Sequence, residues 1–173
     1  MSALEIHPFP PVWNEQSRIL ILGSFPSVRS RETGFYYGHP QNRFWPLLAY
    51  LYNEQVPDSV DEKRNFVLRH GIALWDVIES CQITGSSDSS IRKVKPNHIA
   101  ALIKQTNIRS VYCNGQQAWR LYQKYCAETC SLQGIPLPST SPANAVWSMK
   151  KLIEAWQIIL PLPETGEKLK SND

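Results

Sequence analysis

No stretch of this 173-residue chain carries the roughly 20 consecutive apolar residues that a membrane-spanning helix needs, and its opening, MSALEIHPFPP, lacks the basic and apolar regions of a signal peptide. A soluble cytoplasmic protein with no membrane partner is the expectation. Cysteine is scarce and irregularly spaced: Cys81, Cys113, Cys126 and Cys130 include no CxxC pair. That excludes a secreted disulfide framework and leaves no zinc or iron–sulfur signature, so free thiols and no bound metal are expected. Cys126 and Cys130 stand one helical turn apart, but nothing nearby in the sequence completes a metal site, and packing is the simpler role. The phosphate-cradling glycine motifs GxGxxG and GxxxxGKS/T are both absent, which removes positive support for dinucleotide and P-loop chemistry. No internal repeat is visible.

What is present fits one domain. An apolar fraction of 42% over this length supplies one sizeable core and hardly two. Residues 1–162 read as that domain and 163–173 as a polar tail. A net charge of +3 and a pI near 8.7 suit a polyanionic partner without requiring one. Position says more than the total: Arg29, Arg31 and Arg43 fall in one Gly- and aromatic-rich stretch, and Arg92, Lys93 and Lys95 form a second cluster.

The run from Arg18 to Gly23 is short, continuously apolar and closed by glycine, as expected of a strand buried on both faces in a parallel sheet. A loop of about 20 residues follows, over 23–43, a length unusual in a compact domain unless it is functional. Helices are predicted over 44–52 and 58–70, the latter capped by Asp58 and stopped by Gly71. A strand follows over 72–78, then an exposed loop, TGSSDSS, and a helix over 96–106 with Pro96 in its first turn. Residues 110–113 read as the third strand and 115–126 as an amphipathic helix, and a fourth strand ends near Leu137. After the loop 138–144 comes a last helix, 145–160, with Asn144 as its cap and Val146, Met149, Ile153 and Trp156 on one face. The alternation predicts a three-layer α/β/α domain around a central, mostly parallel four-stranded sheet. The loops leaving the carboxyl ends of such strands share one edge, where ligands bind.

The first of those loops offers Tyr36, Tyr37, His39, Asn42 and Arg43: stacking faces, an amide and a cation, a combination that suits an unstacked base and its phosphate. The alternative is that these aromatics only cover the core. Ser24, Ser27 and Ser141 are suited to DNA phosphates and equally to capping turns. His39, placed before a proline, reads as functional or structural with equal ease.

Two strings carry a family resemblance: Gly23-Ser-Phe-Pro26 after the first strand, and Gly34-Phe-Tyr-Tyr-Gly-His-Pro-Gln-Asn-Arg-Phe-Trp45. Together they resemble the mismatch-specific uracil/thymine branch of the uracil-DNA glycosylase superfamily. The likeness extends to Gly71-Ile-Ala-Leu-Trp-Asp-Val77, Asn114-Gly-Gln-Gln-Ala118 and Leu137-Pro-Ser-Thr-Ser-Pro142, so it spans most of the chain. The chain departs from the pattern twice. Phe25 stands where most branches carry Asp or Asn, and Ser139 stands where the second motif often begins with His. This combination looks like the hypoxanthine-DNA glycosylase (deoxyinosine glycosylase) branch.

The resemblance implies a monofunctional glycosylase that needs no cofactor and acts as a monomer on DNA containing deaminated bases. Asn42 becomes the catalytic residue, able to position water but not to act as a base. Tyr37 becomes the stacking platform, with Phe25 and Asp76 at the base; Asp76 either accepts N1–H of hypoxanthine or aids catalysis near the sugar. Phosphate contacts fall to Ser24, Ser27, Arg43, Ser139 and Ser141. Competing readings are a mismatch-specific uracil glycosylase, a non-catalytic DNA-binding module on the same fold, and a small-molecule α/β enzyme.

Overall fold

The structure, a computed structural model, describes residues 3–162; the tail expected over 163–173 lies outside the described residues. Four strands, β2 (Ile19–Gly23), β3 (Ile72–Asp76), β6 (Ser110–Asn114) and β7 (Gly134–Leu137), form an all-parallel sheet in the order β3-β2-β6-β7. Its apolar runs are continuous because both faces are covered. Leu20, Leu22, Ala73, Val111 and Cys113 point to one face, against α4 (Ile99–Lys104) and α5 (Gln116–Tyr125). Ile21, Ile72, Leu74 and Tyr112 point to the other, against α2 (Phe44–Leu51), α3 (Val60–Arg69) and α7 (Met149–Trp156). A four-residue helix, α6 (Ala127–Cys130), extends α5.

A second sheet departs from the sequence expectation. β1 (Ala3–Ile6), β4 (Ile78–Ile83) and β5 (Arg92–Pro96) pair antiparallel in the order β1-β4-β5. The apolar run read as one strand over 72–78 is divided: the chain leaves the first sheet at Asp76 and enters the second at Ile78. The N–H groups of Val77 and Ile78 donate to the carbonyls of Gly23 and Ser24, at 2.9 and 3.1 Å. The turn between the sheets is therefore tied to the start of the first loop. Pro96 ends the edge strand β5 opposite Ile78 instead of opening a helix, since an edge strand tolerates the missing N–H. Alternation in the charged segment Arg92-Lys-Val-Lys-Pro96 escaped a reading based on apolar runs.

Helix boundaries also shift. The long first loop contains α1 (Val28–Thr33), capped by Ser27, whose Oγ accepts from the Ser30 N–H at 3.1 Å, and ending at Gly34. With only six largely polar residues, α1 shows no apolar stripe and is held by contacts distant in sequence. Ser59, not Asp58, caps α3, accepting from the Glu62 N–H at 3.1 Å; the predicted stop at Gly71 stands, with φ +70°. α7 starts at Met149 under a Ser148 cap, not at 145 under Asn144. The carbonyls of Asn144 and Trp147 are taken by the Arg43 guanidinium, which removes them from a helical ladder. Val146, predicted on the buried face, is 81% exposed as a result. Among the described residues, no helix is long and apolar enough to cross a membrane.

Candidate active site

Because the four strands run parallel, their carboxyl ends at Gly23, Asp76, Asn114 and Leu137 share one edge, and a cavity opens there. Its floor is Asp76, at the last position of β3. The carboxylate Oδ2 accepts from His7 Nε2 at 2.7 Å, both side chains being about 95% buried (4% and 5% exposed). The Asp76 backbone is fixed in turn by Asn97, whose Nδ2 donates to its carbonyl at 2.9 Å. Oδ1 faces Gly23 so closely that a Cβ on that residue would lie 2.3 Å from it. Glycine at the end of β2 is thus a condition for placing this carboxylate in the cavity.

Asn42 is held in one orientation by a relay. Asn114 Nδ2 donates to Thr140 Oγ1 at 3.0 Å, and Thr140 Oγ1 donates to Asn42 Oδ1 at 2.8 Å. The Phe44 N–H donates to the same oxygen at 3.0 Å, and the Thr140 N–H returns to Asn114 Oδ1 at 3.0 Å. Oδ1 is therefore the only assignment that satisfies the Phe44 donor, since an amide nitrogen accepts nothing. Both lone pairs of Oδ1 are taken. The Nδ2 hydrogens are left for a ligand, so Asn42 offers the cavity donors and no acceptor.

Tyr37 adopts φ +55°, a left-handed conformation that is strained for a bulky residue. Packing holds it there: its ring stacks on Phe44 at a centroid distance of 3.9 Å and 24°. Its hydroxyl is buried facing Asn114 without a well-formed hydrogen bond. Burial raises the phenol of Tyr37 well above its ordinary value, and the charge of Asp76 adds to that effect. Tyr36 is raised for the same two reasons, and its hydroxyl donates to the Pro10 carbonyl at 3.0 Å. Both phenols are neutral donors near pH 7. Phe25, 8% exposed, forms an apolar wall, with the Arg31 guanidinium 5.6 Å from its ring centroid on another side.

The expected phosphate-binding residues divide. Ser24, Ser27, Ser139 and Ser141 all line the cavity. Three of the four also serve local turns: Ser27 caps α1, Ser139 Oγ accepts from the Ser141 N–H at 3.1 Å, and Ser141 Oγ accepts from the Ala143 N–H at 3.2 Å. Ser24 Oγ instead donates to Asp88 Oδ1 at 2.9 Å. Arg43 is not among the lining residues. Its guanidinium donates to the carbonyls of Trp147, Ser141 (3.0 Å) and Asn144 (3.1 Å), which makes it a clamp on the 138–148 segment instead of a group facing a phosphate. His39 also lies outside the cavity, its Nδ1 accepting from the Gln41 N–H at 3.1 Å. Asn144, predicted as a helix cap, donates from Nδ2 to the Ser139 carbonyl at 3.0 Å.

Four residues of the site escaped the sequence reading: His7, Asp88, Asn114 and Thr140. Asn114 and Thr140 stood inside recognised strings without a role, His7 preceded the first recognised motif, and Asp88 lay in a serine-rich stretch read as an exposed loop. That stretch is fastened over the site. The Val28 N–H donates to Ser86 Oγ at 2.9 Å and Arg31 Nη2 to the Gly85 carbonyl at 2.7 Å. The cavity is lined by two carboxylates and, among the described residues, by no lysine or arginine. Such a field favours positive charge developing inside it. No cluster of His, Cys, Asp or Glu among the described residues is arranged to hold a metal ion.

The model of the uracil DNA glycosylase superfamily matches residues 10–160, nearly the whole described chain. The chain belongs to that superfamily. A protein of Methanosarcina acetivorans named hypoxanthine DNA glycosylase is 35% identical over 153 residues, covering 87% of this chain and 95% of the relative. One of the same name from Methanosarcina barkeri is 37% identical over 112 residues, covering 64% and 71%. A solution structure from M. acetivorans, provisionally described as a uracil DNA glycosylase, superposes with a TM-score of 0.75 at 32% identity, covering 87% of this chain and 93% of its own. The superfamily's α/β sheet with helices on both faces is thus the fold of this chain, and its cavity lies at the edge where the first-motif loop leaves β2.

Proposed function

We propose that this chain is a monofunctional DNA glycosylase that hydrolyses the N-glycosidic bond of deoxyinosine in DNA, releasing hypoxanthine and leaving an abasic site. The observation that carries the reading is the cavity itself: an aromatic platform, a fixed carboxylate acceptor and a clamped amide donor, in a chain 35% identical to a protein named for that activity. A base inside duplex DNA cannot reach such a cavity, so the nucleotide must flip out, at a cost of a few kcal/mol that is smaller for a poorly paired lesion. Tyr37 stacks on the flipped base, which is worth about 1–3 kcal/mol. Asp76 Oδ1 accepts the lactam N1–H of hypoxanthine. Adenine carries a lone pair at that position, which a carboxylate repels, so the same contact discriminates against the undamaged purine.

Asn42 donates from Nδ2 to the reacting nucleotide or to the attacking water, and the two carboxylates lower the energy of the cation that forms on the sugar. The serines and backbone N–H groups at the rim meet the DNA phosphates. Among the described residues no lysine lines the cavity to form a covalent imine, which supports simple hydrolysis. The chain acts as a monomer. The four free thiols fit a reducing cytoplasm.

One observation favours a second reading: uracil also presents an N–H that Asp76 would accept. Duplexes carrying one deoxyinosine or one uracil, scored for alkali-labile sites, test both. The reading predicts rapid cleavage at deoxyinosine, reduced about 100-fold or more in Asn42→Ala. Faster cleavage at uracil would move the substrate, and an unchanged Asn42→Ala rate would remove Asn42 from the chemistry.

A further inference from the structure

The proposed hydrolysis requires a group to take the proton of the attacking water, and the residues assigned so far do not supply one. Asn42 is a neutral amide whose oxygen is already saturated by Thr140 and Phe44. Asp76 lies on the floor, its Oδ2 bound to His7, where it meets the base. Phe25 occupies the position at which most of the superfamily carries a carboxylate or amide. The tyrosines are raised phenols.

Asp88 fits the vacancy by position. It opens the 3-10 turn Asp88–Ser90, between β4 and β5, and lines both the cavity and the adjoining groove formed by Gln116, Pro138 and Trp147. A flipped nucleotide has its base inside and its backbone outside, so its glycosidic bond crosses this boundary. Ser24 Oγ, one residue from Phe25, donates to Asp88 Oδ1 at 2.9 Å and leaves Oδ2 without a partner among the described residues. The loop is braced by Arg31 on the Gly85 carbonyl and by Arg92 Nη1 on the Ser89 carbonyl at 2.9 Å, so the carboxylate is held in place and not carried on a free tip.

We propose that Asp88 is a further catalytic residue, the general base of the site, replacing from a different loop the function that Phe25 cannot perform. The inference rests on the glycosylase reading. In the step it describes, the C1′–N9 bond breaks with its electron pair passing to hypoxanthine. The water oxygen bonds to C1′ from the rim, and its proton passes to Asp88 Oδ2. The departing purine takes a proton from solvent, so one water is consumed and no oxidant or reductant is needed. Before the proton moves, the same negative charge faces the sugar cation.

The surroundings suit a base. Asp88 stands exposed at the cavity mouth, and partial desolvation there raises its carboxyl above the ordinary range; the Ser24 hydrogen bond opposes this, and the charge of Asp76 raises it further. The charged and titratable groups around it are Asp76 on β3, Cys81 on β4, Arg31 on α1 and Arg92 on β5. Only the ionised form accepts a proton, so the rate falls as pH drops through this raised value.

The test is single-turnover cleavage of a deoxyinosine duplex by the wild-type chain, Asp88→Asn and Asp88→Glu, with DNA affinity measured in parallel. Asp88→Asn keeps an acceptor for Ser24 and removes the base. The expected result is a loss of about 100-fold or more in rate with affinity unchanged or slightly tighter, a rate that no longer falls at acid pH, and partial recovery in Asp88→Glu. An Asp88→Asn rate within about threefold of wild type, or a loss matched by weaker DNA binding, overturns the proposal. An inactive wild-type chain would overturn the glycosylase reading and this inference with it, whereas an active wild type beside an equally active Asp88→Asn overturns this inference alone.

Discussion

Replacing Thr140 by valine removes one hydroxyl and keeps the shape of the side chain, which isolates the relay that orients Asn42. Thr140 is fully buried, and its Oγ1 receives the Asn114 Nδ2 hydrogen at 3.0 Å while donating to Asn42 Oδ1 at 2.8 Å. Valine leaves a half-buried amide donor on Asn114 unmet and deprives Asn42 of one of its two donors. An unsatisfied buried polar group costs about 1–3 kcal/mol, and that is the expected loss of stability. For a chain of this size it lowers Tm by about 2–12 °C. Catalysis should suffer as well, because Asn42 retains only the Phe44 N–H and its Nδ2 donors lose their fixed direction. If the same 1–3 kcal/mol is lost in the transition state, the single-turnover rate on deoxyinosine DNA falls about 5- to 150-fold. Thr140→Ser restores the hydroxyl and should recover most of the rate. The assay is thermal unfolding and single-turnover cleavage on the three proteins side by side. A Thr140→Val chain with wild-type Tm and a rate within twofold would refute the claim that this relay positions Asn42.

Two further substitutions separate roles that the sequence alone merges. Asp76→Asn, with its oxygen held by the His7 donor, turns its Nδ2 toward the base; hypoxanthine release should fall about 100-fold or more, and the preference for hypoxanthine over adenine should shrink. Equal discrimination before and after the change, measured on paired duplexes, would contradict base reading by Asp76. Arg43→Met removes the clamp on the carbonyls of Ser141, Asn144 and Trp147 and should destabilise the chain by about 2–4 kcal/mol, seen as a lower denaturation midpoint. Its DNA affinity should keep the wild-type dependence on salt, whereas a salt slope smaller by about one would return Arg43 to the phosphate contacts.

The parts of this molecule that could be read from sequence are those whose cause is local. Ile-Leu-Ile-Leu-Gly at 19–23 is a central strand because an unbroken apolar run must be covered on both faces, and the structure covers it so. The edge where the strands end then follows from their parallel direction, and Asn42, Tyr37, Phe25 and Asp76 all reach it. What escaped depends on distance along the chain. His7 meets Asp76 across 69 residues and Thr140 meets Asn42 across 98, and no spacing rule connects such pairs. Arg43 looked like a phosphate ligand because a cation beside aromatics suits DNA, but its planar fork is equally matched to three converging carbonyls 98 to 104 residues away. Asp88 was hidden by composition: the serine-rich stretch is exposed, as read, but its ties to Ser24, Val28 and Arg31 also bring it to the rim of the cavity. The second sheet was missed because the apolar run at 72–78 crosses from one sheet to the other without a break in sequence.

The proposed chemistry is release of a deaminated purine from DNA in this cavity. Its most direct measurement is chemical identification of the free base after the wild-type chain acts on a duplex carrying one deoxyinosine and, at a distance, one deoxyuridine. Free hypoxanthine is expected, with an abasic site at the deoxyinosine position and the uracil largely retained. Release of uracil alone, or intact DNA after prolonged incubation with excess protein, would contradict it.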